Sequence, residues 1–317
     1  MKYAYYPGCS LHSTGREYDT SLKAVASRFG LELEEPPDWI CCGTSSAHAT
    51  SRVLAAALPL HNLNLVARSG HAEVLVPCAA CFARFKHALH EVREPGVAAD
   101  EVERVLGEKP AGSVSPVHPL QVFDKLLEGG GGFAVRDLSG LVVASYYGCL
   151  LTRPPDVMRF DRCEYPMSMD RIVKACGARP IDWSFKTDCC GASFSLTRTE
   201  IVHELTAKIL ADAKAHGANC IAVACSLCHA NLDARQPEIE AKTGQTFGLP
   251  VLYFTQIIGL ALGLPLKALG LGRHIVPPSP LLDGLGIWAD RAPEPRLLTA
   301  GDTPDSAVSP HPVNESP

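Results

Sequence analysis

The sequence predicts an α/β protein of two homologous domains, each a small, mostly parallel sheet flanked by helices, followed by a disordered proline-rich tail. A cysteine pattern that occurs twice indicates the two domains. Short apolar runs that alternate with amphipathic stretches indicate strands and helices in each domain. The composition changes after Gly272, where nine of the last 45 residues are proline, and this change indicates the tail.

Ten of the thirteen cysteines make up the repeated pattern, which reads Cys, then Cys-Cys-Gly, then Cys-x-x-Cys. The first copy consists of Cys9, Cys41, Cys42, Cys78 and Cys81, and the second of Cys149, Cys189, Cys190, Cys225 and Cys228. The intervals are 31 and 35 residues in the first copy and 39 and 34 in the second. A Tyr-Tyr pair also precedes the first cysteine of each copy. We infer two halves of common origin joined by a linker.

The repeat sets the expected domain boundaries. The first domain is expected over residues 1–108, a linker with a short helix over 109–139, the second domain over 140–272 and the tail over 273–317. The linker contains a run of glycines at 129–132, and its apolar residues predict the short helix at 120–127.

Strands and helices are expected to alternate within each domain. Apolar runs predict buried parallel strands at 2–6, 74–76, 141–147 and 220–224. Apolar residues at three- and four-residue spacing predict helices at 18–29, 51–69 and 199–216. The cysteines then follow strands or begin helices, at the carboxyl edge where open α/β sheets build their sites.

The longest apolar stretch covers residues 257–272 and is interrupted by Pro265 and Lys267. It falls short of the roughly 18 apolar residues that a membrane span requires. We expect a helix packed on the second domain, followed by a loop. The alternative is a surface helix that contacts a membrane or a partner.

The composition excludes some functions. A formal net charge of −5 argues against binding to nucleic acid, which requires a basic face. The first residues lack the features of a signal peptide, so thirteen cysteines indicate a reducing, cytoplasmic compartment and metal or redox chemistry. The sequence has no phosphate-binding glycine motif after a strand, so electrons are expected to arrive from another subunit.

The vicinal cysteine pairs are the most specific signal. Adjacent residues cannot easily aim two sulfurs at one tetrahedral ion, but they can bind different irons of a cluster. Each copy also has five thiols, whereas four are enough for a structural zinc or a cubane cluster. Zinc in one domain with an iron–sulfur cluster in the other stays open. Cys163, Cys176 and Cys220 lie outside the pattern and are expected to be buried structural side chains.

Other residues near the cysteines are weaker candidates for the site. His12, His48 and His229 lie close in sequence to the cysteines and could donate hydrogen bonds or protons. Arg16 and Arg153 could attract an anionic substrate. Glycines next to the cysteines are expected to let the backbone approach a cluster, and these are Gly8, Gly43, Gly148 and Gly191.

The duplicated pattern, with YYPGCSLH near the start, resembles the cysteine-rich CCG domain family, and in particular the B subunits of heterodisulfide reductases, over about residues 1–265. The resemblance implies that each set of five cysteines holds a noncubane [4Fe-4S] cluster. It also implies an oxidoreductase acting on sulfur groups, in which a disulfide or protein-bound sulfur substrate is reduced or formed between the clusters by one-electron steps. The implied partners are a ferredoxin-like iron–sulfur subunit and a flavin subunit.

Two other functions remain open. CCG domains also occur in electron-transfer subunits of quinone-linked succinate, glycolate or lactate dehydrogenases, and the 257–272 stretch would then contact the membrane. A structural zinc module that assembles a complex is the third alternative.

Overall fold

The computed structural model describes residues 1–44, 46–93, 97–128, 133 and 136–288. These residues form two four-stranded sheets in which all neighbouring strands are parallel. The first sheet has the order β2-β1-β3-β4, and the second has the equivalent order β6-β5-β7-β8. The strands are β1 Lys2–Tyr5, β2 Glu32–Glu34, β3 Glu73–Leu75, β4 Ser115–Val117, β5 Val142–Tyr146, β6 Arg179–Pro180, β7 Cys220–Val223 and β8 Val251–Tyr253. The predicted fold class is confirmed.

The central strands of the second sheet are apolar because helices cover both faces of the sheet. All four residues of β7 are buried, and so are the last four of β5. The two strands pair from Val143 with Cys220 to Tyr146 with Val223. The chain therefore leaves both central strands at the same edge of the sheet, close to Cys149 and Cys225.

The helices of the first half and of the connection are α1 Gly8–Leu11, α2 Arg16–Arg28, α3 Ala47–Thr50, α4 Arg52–Arg68, α5 Ala79–Glu91, α6 Val97–Leu106 and α7 Pro119–Leu127. Those that follow are α8 Pro155–Met158, α9 Ser168–Ala175, α10 Thr199–Ala215, α11 Ser226–Ala234, α12 Gln236–Thr243, α13 Phe254–Ala261 and α14 Ser279–Gly284, with short 3-10 turns at Ala192–Phe194, Leu266–Leu269 and Leu271–Arg273. The helices predicted at 18–29, 51–69, 120–127 and 199–216 correspond to α2, α4, α7 and α10.

The structure differs from the sequence-based prediction at residues 109–139, where a linker was expected. Strand β4 pairs with β3 from Glu73 with Ser115 to Leu75 with Val117, so this segment completes the first sheet. A three-residue strand that contains Pro116 has no periodicity by which the sequence could reveal it. The glycine run at 129–132 lies outside the described residues.

Helix α13 lies between the two halves rather than on the surface. Ile257, Ile258 and Leu260 are fully buried. The Thr255 hydroxyl is 2.7 Å from the Ser21 hydroxyl of α2 in the first half. The predicted packed helix is therefore present, and α13 has no free apolar face for the alternative membrane contact. Within the described residues, every helix is too short or too polar to span a bilayer.

Residues 273–288, which the sequence assigned to the tail, are packed on the second half. The Asp233 carboxylate accepts the N–H groups of Ile275 and Val276 at 2.7 and 3.0 Å. Leu282 and Ile287 are buried. Two well-placed apolar side chains are enough to order a segment whose average composition resembles a tail. The tail boundary expected at Gly272 is therefore too early, and residues 289–317 lie outside the described residues.

A chain that ends at Gly272 is expected to be less stable than the full chain by about 3–6 kcal/mol, because burying Leu282 and Ile287 contributes about 1.5–3 kcal/mol each. Urea denaturation measures the difference. The control ends at Trp288, retains these contacts and is expected to unfold at the urea concentration of the full chain. Equal midpoints for all three chains would contradict the role given to residues 273–288.

Candidate metal centres

Each Cys-x-x-Cys motif begins a helix directly after a central strand. Cys78 is the N-cap residue of α5, and Cys225 is the N-cap residue of α11. The free N–H groups of a first helical turn point towards its N-terminus and favour negative charge there. Thiolates and sulfide are anions, so both turns suit a metal centre with sulfur ligands. The structure confirms that the motif follows a strand and opens a helix in each half.

In the first half the cysteines come together in pairs. The sulfurs of Cys42 and Cys81 are 3.2 Å apart. Contacts with the Cys41 and Cys81 thiols lower the pKa of Cys42 to about 3. The interaction with Cys42 and burial raise the pKa of Cys41, and the neighbouring Cys9 adds a smaller contribution in the same direction. Cys9 and Cys41 are exposed, whereas Cys42, Cys78 and Cys81 are buried.

The second half has the same arrangement. The sulfurs of Cys190 and Cys228 are 3.5 Å apart. A hydrogen bond from Cys149 lowers the pKa of Cys189 to about 6. The Gly191 N–H group donates to the Cys189 sulfur at 3.3 Å, as Gly43 does to Cys41 at 3.4 Å. All five sulfurs of each half are thus brought to the same edge of the sheet.

The two sets of cysteines meet at the boundary between the halves. Cys78 and Cys225 are both buried, and their thiols lie near enough to each other to shift each other's pKa. This contact raises the pKa of Cys78 to about 12 and contributes to the lowered pKa of Cys225, for which the hydrogen bond from Cys228 is the larger cause. The two sets of sulfurs therefore lie next to each other, with Cys78 and Cys225 at the boundary between the halves.

A cavity of about 70 Å³ lies beside the second set. Ala79 and Ala80 of the first half form part of its wall. The second half contributes Tyr147, Cys149, Leu150, Cys189, Cys190, Ala192, Ser193, Cys225, Leu227 and Cys228. The cavity is therefore shared by both halves and bounded by all five cysteines of the second set.

Two glycines allow the backbone to approach the sulfurs closely. Gly8 and Gly148 have φ angles of +67° and +68°, which side chains rarely adopt. A Cβ atom on Gly8 would lie 3.2 Å from the Cys81 sulfur, and one on Gly148 would lie 3.0 Å from the Cys228 sulfur. The backbone therefore approaches a sulfur at these two positions, and the predicted approach to a cluster stays a prediction.

In each half a tyrosine hydroxyl donates a hydrogen bond to the residue before the vicinal cysteine pair. The sequence analysis did not identify this role. Tyr6 donates a hydrogen bond of 2.8 Å to the carbonyl of Ile40, the residue before Cys41. Tyr146 donates one of 2.6 Å to the carbonyl of Asp188, the residue before Cys189. The signal was the repeated Tyr-Tyr pair. Tyr6 corresponds to Tyr146, so Pro7 stands where the second half has Tyr147.

The three candidate histidines lie in different surroundings. His12 is exposed, and its Nε2 atom is 3.1 Å from the Glu35 carboxylate. His48 is exposed on α3. His229 is buried, with Nε2 3.0 Å from the Val251 carbonyl and 3.2 Å from Nδ1 of His274. Their predicted part in the site stays a prediction.

His229, Asp233 and His274 have ligand atoms within 4.8 Å of one another, as a metal site would require. The Asp233 carboxylate, however, accepts two backbone N–H groups, and Nε2 of His274 is 2.9 Å from the Gln256 amide nitrogen. The three side chains therefore form a buried hydrogen-bond network that holds residues 274–276 in place.

Arg153 supports the loop before the second cysteine pair. It donates hydrogen bonds to the carbonyl and hydroxyl oxygens of Thr187 at 3.4 and 3.1 Å, and it forms an ion pair with Glu164. Arg16 is exposed and donates to the His12 carbonyl. Arg153 thus stabilises the loop before Cys189, and the predicted attraction of an anionic substrate by its charge stays a prediction.

The three cysteines outside the pattern are not alike. Cys176 and Cys220 are fully buried in the core, and burial raises the pKa of Cys220 to about 12. Cys163 is half-exposed, with its sulfur 3.6 Å from the Glu164 carboxylate. The expectation of buried structural side chains fits the first two and is wrong for Cys163, which lies in a surface loop.

The family model of the cysteine-rich domain called CCG matches residues 3–86 and again residues 143–233. These matches cover more than half of the chain and contain all ten cysteines of the pattern. The chain belongs to the CCG family. Its two halves are therefore two copies of one domain, as the sequence predicted.

Curated relatives cover almost the whole chain. The 8-methylmenaquinol:fumarate reductase membrane anchor subunit of Wolinella succinogenes is 30% identical over 87% of this chain and 97% of its own length. The B subunit of the ferredoxin/F(420)H(2)-dependent CoB-CoM heterodisulfide reductase of Methanosarcina acetivorans is 26% identical over 87% of this chain and 94% of its own length. A protein of Archaeoglobus profundus, named as similar to the B subunit of heterodisulfide reductase, is 24% identical over 86% of this chain and 94% of its own length.

Among solved structures, a hypothetical protein from Helicobacter pylori has a TM-score of 0.72 and 12% identity with this CCG protein. The match covers 86% of this chain and 51% of that one, so the chain spans about half the length of that protein. This likeness concerns the fold alone.

Proposed function

We propose that this CCG protein is an iron–sulfur electron-transfer subunit of a multi-subunit oxidoreductase, with one noncubane [4Fe-4S] cluster in each half. Cys9, Cys41, Cys42, Cys78 and Cys81 would hold the first cluster, and Cys149, Cys189, Cys190, Cys225 and Cys228 the second. The observation that carries this proposal is that each half gathers its thiols where a Cys-x-x-Cys helix begins after a central strand, with close sulfur pairs at Cys42 and Cys81 and at Cys190 and Cys228. Relatives named as B subunits of heterodisulfide reductases support it.

The arrangement of the thiols fits a cluster of several irons better than a single zinc ion. Among the described residues, which include all ten cysteines, no three of their sulfurs lie within 4.8 Å of one another. Four thiolates bound to one zinc at about 2.3 Å would be about 3.8 Å apart. The thiols form close pairs rather than a compact group of four, and Gly8 and Gly148 lack the Cβ atoms that would lie beside a sulfur, so the sites suit a larger group.

The proposed reaction is reduction, or the reverse formation, of a disulfide or related sulfur substrate. Reduction takes up two electrons and two protons and releases two thiols. Iron–sulfur clusters supply and accept electrons singly. The protein holds the ligands, and the buried cysteines of each half keep water away. The small side chains of Ala79 and Ala80 form the wall of the second set's cavity on the side of the first half, so the proposed second cluster would have no bulky side chain between it and the first half.

The proposed partners are a ferredoxin-like iron–sulfur subunit and a flavin subunit, which would deliver the electrons. Cys9, Cys41 and Cys189 are exposed, so both proposed clusters would have an edge near the surface. A partner cluster can approach at such an edge. We place the complex in the cytoplasm, because its many free thiols suit a reducing compartment.

A second function is favoured by one observation, the 30% identity to a membrane anchor subunit of a methylmenaquinol:fumarate reductase. In that case the clusters would relay electrons between a dehydrogenase and a quinone. Because α13 is buried, contact with a membrane or an anchor protein would need a different surface.

Metal analysis and substrate tests on protein purified without oxygen distinguish these functions. We expect about eight irons and eight acid-labile sulfides per chain, four for each cluster, and little zinc. The chemically reduced protein is expected to be reoxidised by an added disulfide. Reoxidation by a menaquinone analogue, with no response to disulfides, would favour the quinone-linked function. One zinc per half without sulfide would overturn both.

A further inference from the structure

His118 joins the two cysteine-containing turns of the molecule. It is fully buried and is the N-cap residue of α7, in the segment between the halves. Its Nε2 atom is 2.9 Å from the Pro77 carbonyl oxygen and 3.1 Å from the Ala224 carbonyl oxygen. Pro77 precedes Cys78, and Ala224 precedes Cys225. These are equivalent positions in the two copies of the repeat.

The other ring nitrogen fixes which atom carries the hydrogen. Nδ1 of His118 accepts the Leu120 N–H group at 3.2 Å, so Nε2 is the protonated nitrogen of the neutral ring. Burial lowers the pKa of His118 to about 4, consistent with a neutral ring. Its single N–H group is therefore shared by one carbonyl from each half. Phe82 and Phe160 pack edge-on against the ring and hold its plane.

We propose that His118 is a positioning residue that sets the separation and orientation of the two Cys-x-x-Cys turns, and thereby of the two metal centres. This inference rests on the proposed function for the presence of clusters. Without the shared N–H group, two buried carbonyl oxygens would face each other without a donor, and such groups are costly to leave unpaired. The turns would then move apart, taking Cys78 and Cys225 with them.

Two substitutions separate the two hydrogen-bonding roles of the ring. His118→Gln places an amide N–H group near the position of Nε2, so it can still donate to the carbonyls. His118→Asn keeps an oxygen that can accept the Leu120 N–H group as an N-cap, but its side chain is too short to reach both carbonyls. The glutamine variant is therefore the control that retains the bridge, and the asparagine variant retains only the cap.

The first measurement is the magnetic interaction between the two reduced clusters, recorded by electron paramagnetic resonance of the full-length protein. Iron content is expected to be unchanged in both variants. The interaction is expected to weaken in His118→Asn and to remain in His118→Gln. Equal spectra for both variants and the unaltered protein would overturn the proposal. Equal loss in both would also overturn it, because the bridging N–H group would then not be the cause.

Hydrogen exchange of the same chains gives a measurement that does not require clusters. In His118→Asn the amides of both turns, residues 76–82 and 223–229, are expected to exchange about tenfold faster, as the loss of one buried hydrogen bond implies. Faster exchange in only one turn would contradict a link between the halves. If the unaltered protein holds no iron, the proposed function fails, but the exchange comparison still decides whether His118 joins the turns.

Discussion

The Cys190→Ala variant is expected to bind about four irons per chain instead of about eight, with the first half retaining its cluster. Cys190 is buried, 3.5 Å from the Cys228 sulfur, and its contact with Cys228 lowers its pKa. It is therefore poised to become a metal-bound thiolate. Iron and sulfide analysis measures the loss, and electron paramagnetic resonance identifies the cluster that remains.

The matched control is Cys220→Ala. Cys220 is as buried as Cys190 but belongs to β7 and lies outside the pattern. It is expected to keep all of the iron and to lose only about 1 kcal/mol of stability, as the removal of a small buried side chain costs. The mirror variant Cys42→Ala is expected to lose the other half of the iron. Complete loss of iron from either single variant would contradict independent centres in the two halves.

Much of this architecture could be predicted from the sequence because the chain contains a duplication. A pattern found in one half could be checked against the same pattern in the other half. The cysteine pattern occurs twice with similar spacing, and Cys78 and Cys225 do begin helices after central strands. Apolar runs such as β7 are readable because both faces of a parallel sheet are covered. These features depend on residues that lie close together in the chain, so the local sequence is enough to predict them.

The features that the sequence did not reveal depend on distant contacts. The His118-Pro119 dipeptide indicates a helix start, but nothing in it indicates that the imidazole reaches Pro77 and Ala224. The three residues of β4 form a strand because β3 offers them an open edge. The packing of residues 273–288 likewise requires the Asp233 carboxylate, which lies about forty positions earlier.

The two halves also differ in a way that the repeat hides. Tyr147, which stands where the first half has Pro7, donates a 2.7 Å hydrogen bond to Asp170, and Asp170 forms a 2.8 Å ion pair with Lys186. Both charged side chains are nearly inaccessible. The Lys186 carbonyl accepts the N–H groups of Tyr147 and Gly148, directly before Cys149. The network therefore supports only the second site.

The Lys186→Met variant is expected to lose about 3–5 kcal/mol of stability at neutral pH, because it leaves the Asp170 carboxylate buried without its cation. Burial already raises the pKa of Asp170, and the contact with Lys186 opposes that rise. In the variant the pKa rises further, so the folded state holds the proton more tightly than the unfolded chain does. Its stability is therefore expected to fall as the pH increases from about 4 towards neutrality.

Urea denaturation at pH 4.5 and pH 7 tests this pH dependence. The loss of stability in Lys186→Met should be smaller at the lower pH, where Asp170 is protonated.

A second variant tests whether the buried charge is the cause. Adding Asp170→Asn to Lys186→Met is expected to restore part of the stability at pH 7, since no buried charge remains and the asparagine can still accept from Tyr147. The control is Lys208→Met, which removes an exposed ion pair with Glu204 and should change little. A loss that does not depend on pH would show that the packing of the Lys186 chain, rather than its charge, stabilises this half. The Lys186 side chain ties to Asp170 the segment whose backbone carbonyl holds the turn before Cys149. The single variant is therefore expected to weaken iron binding in the second half while the first stays intact.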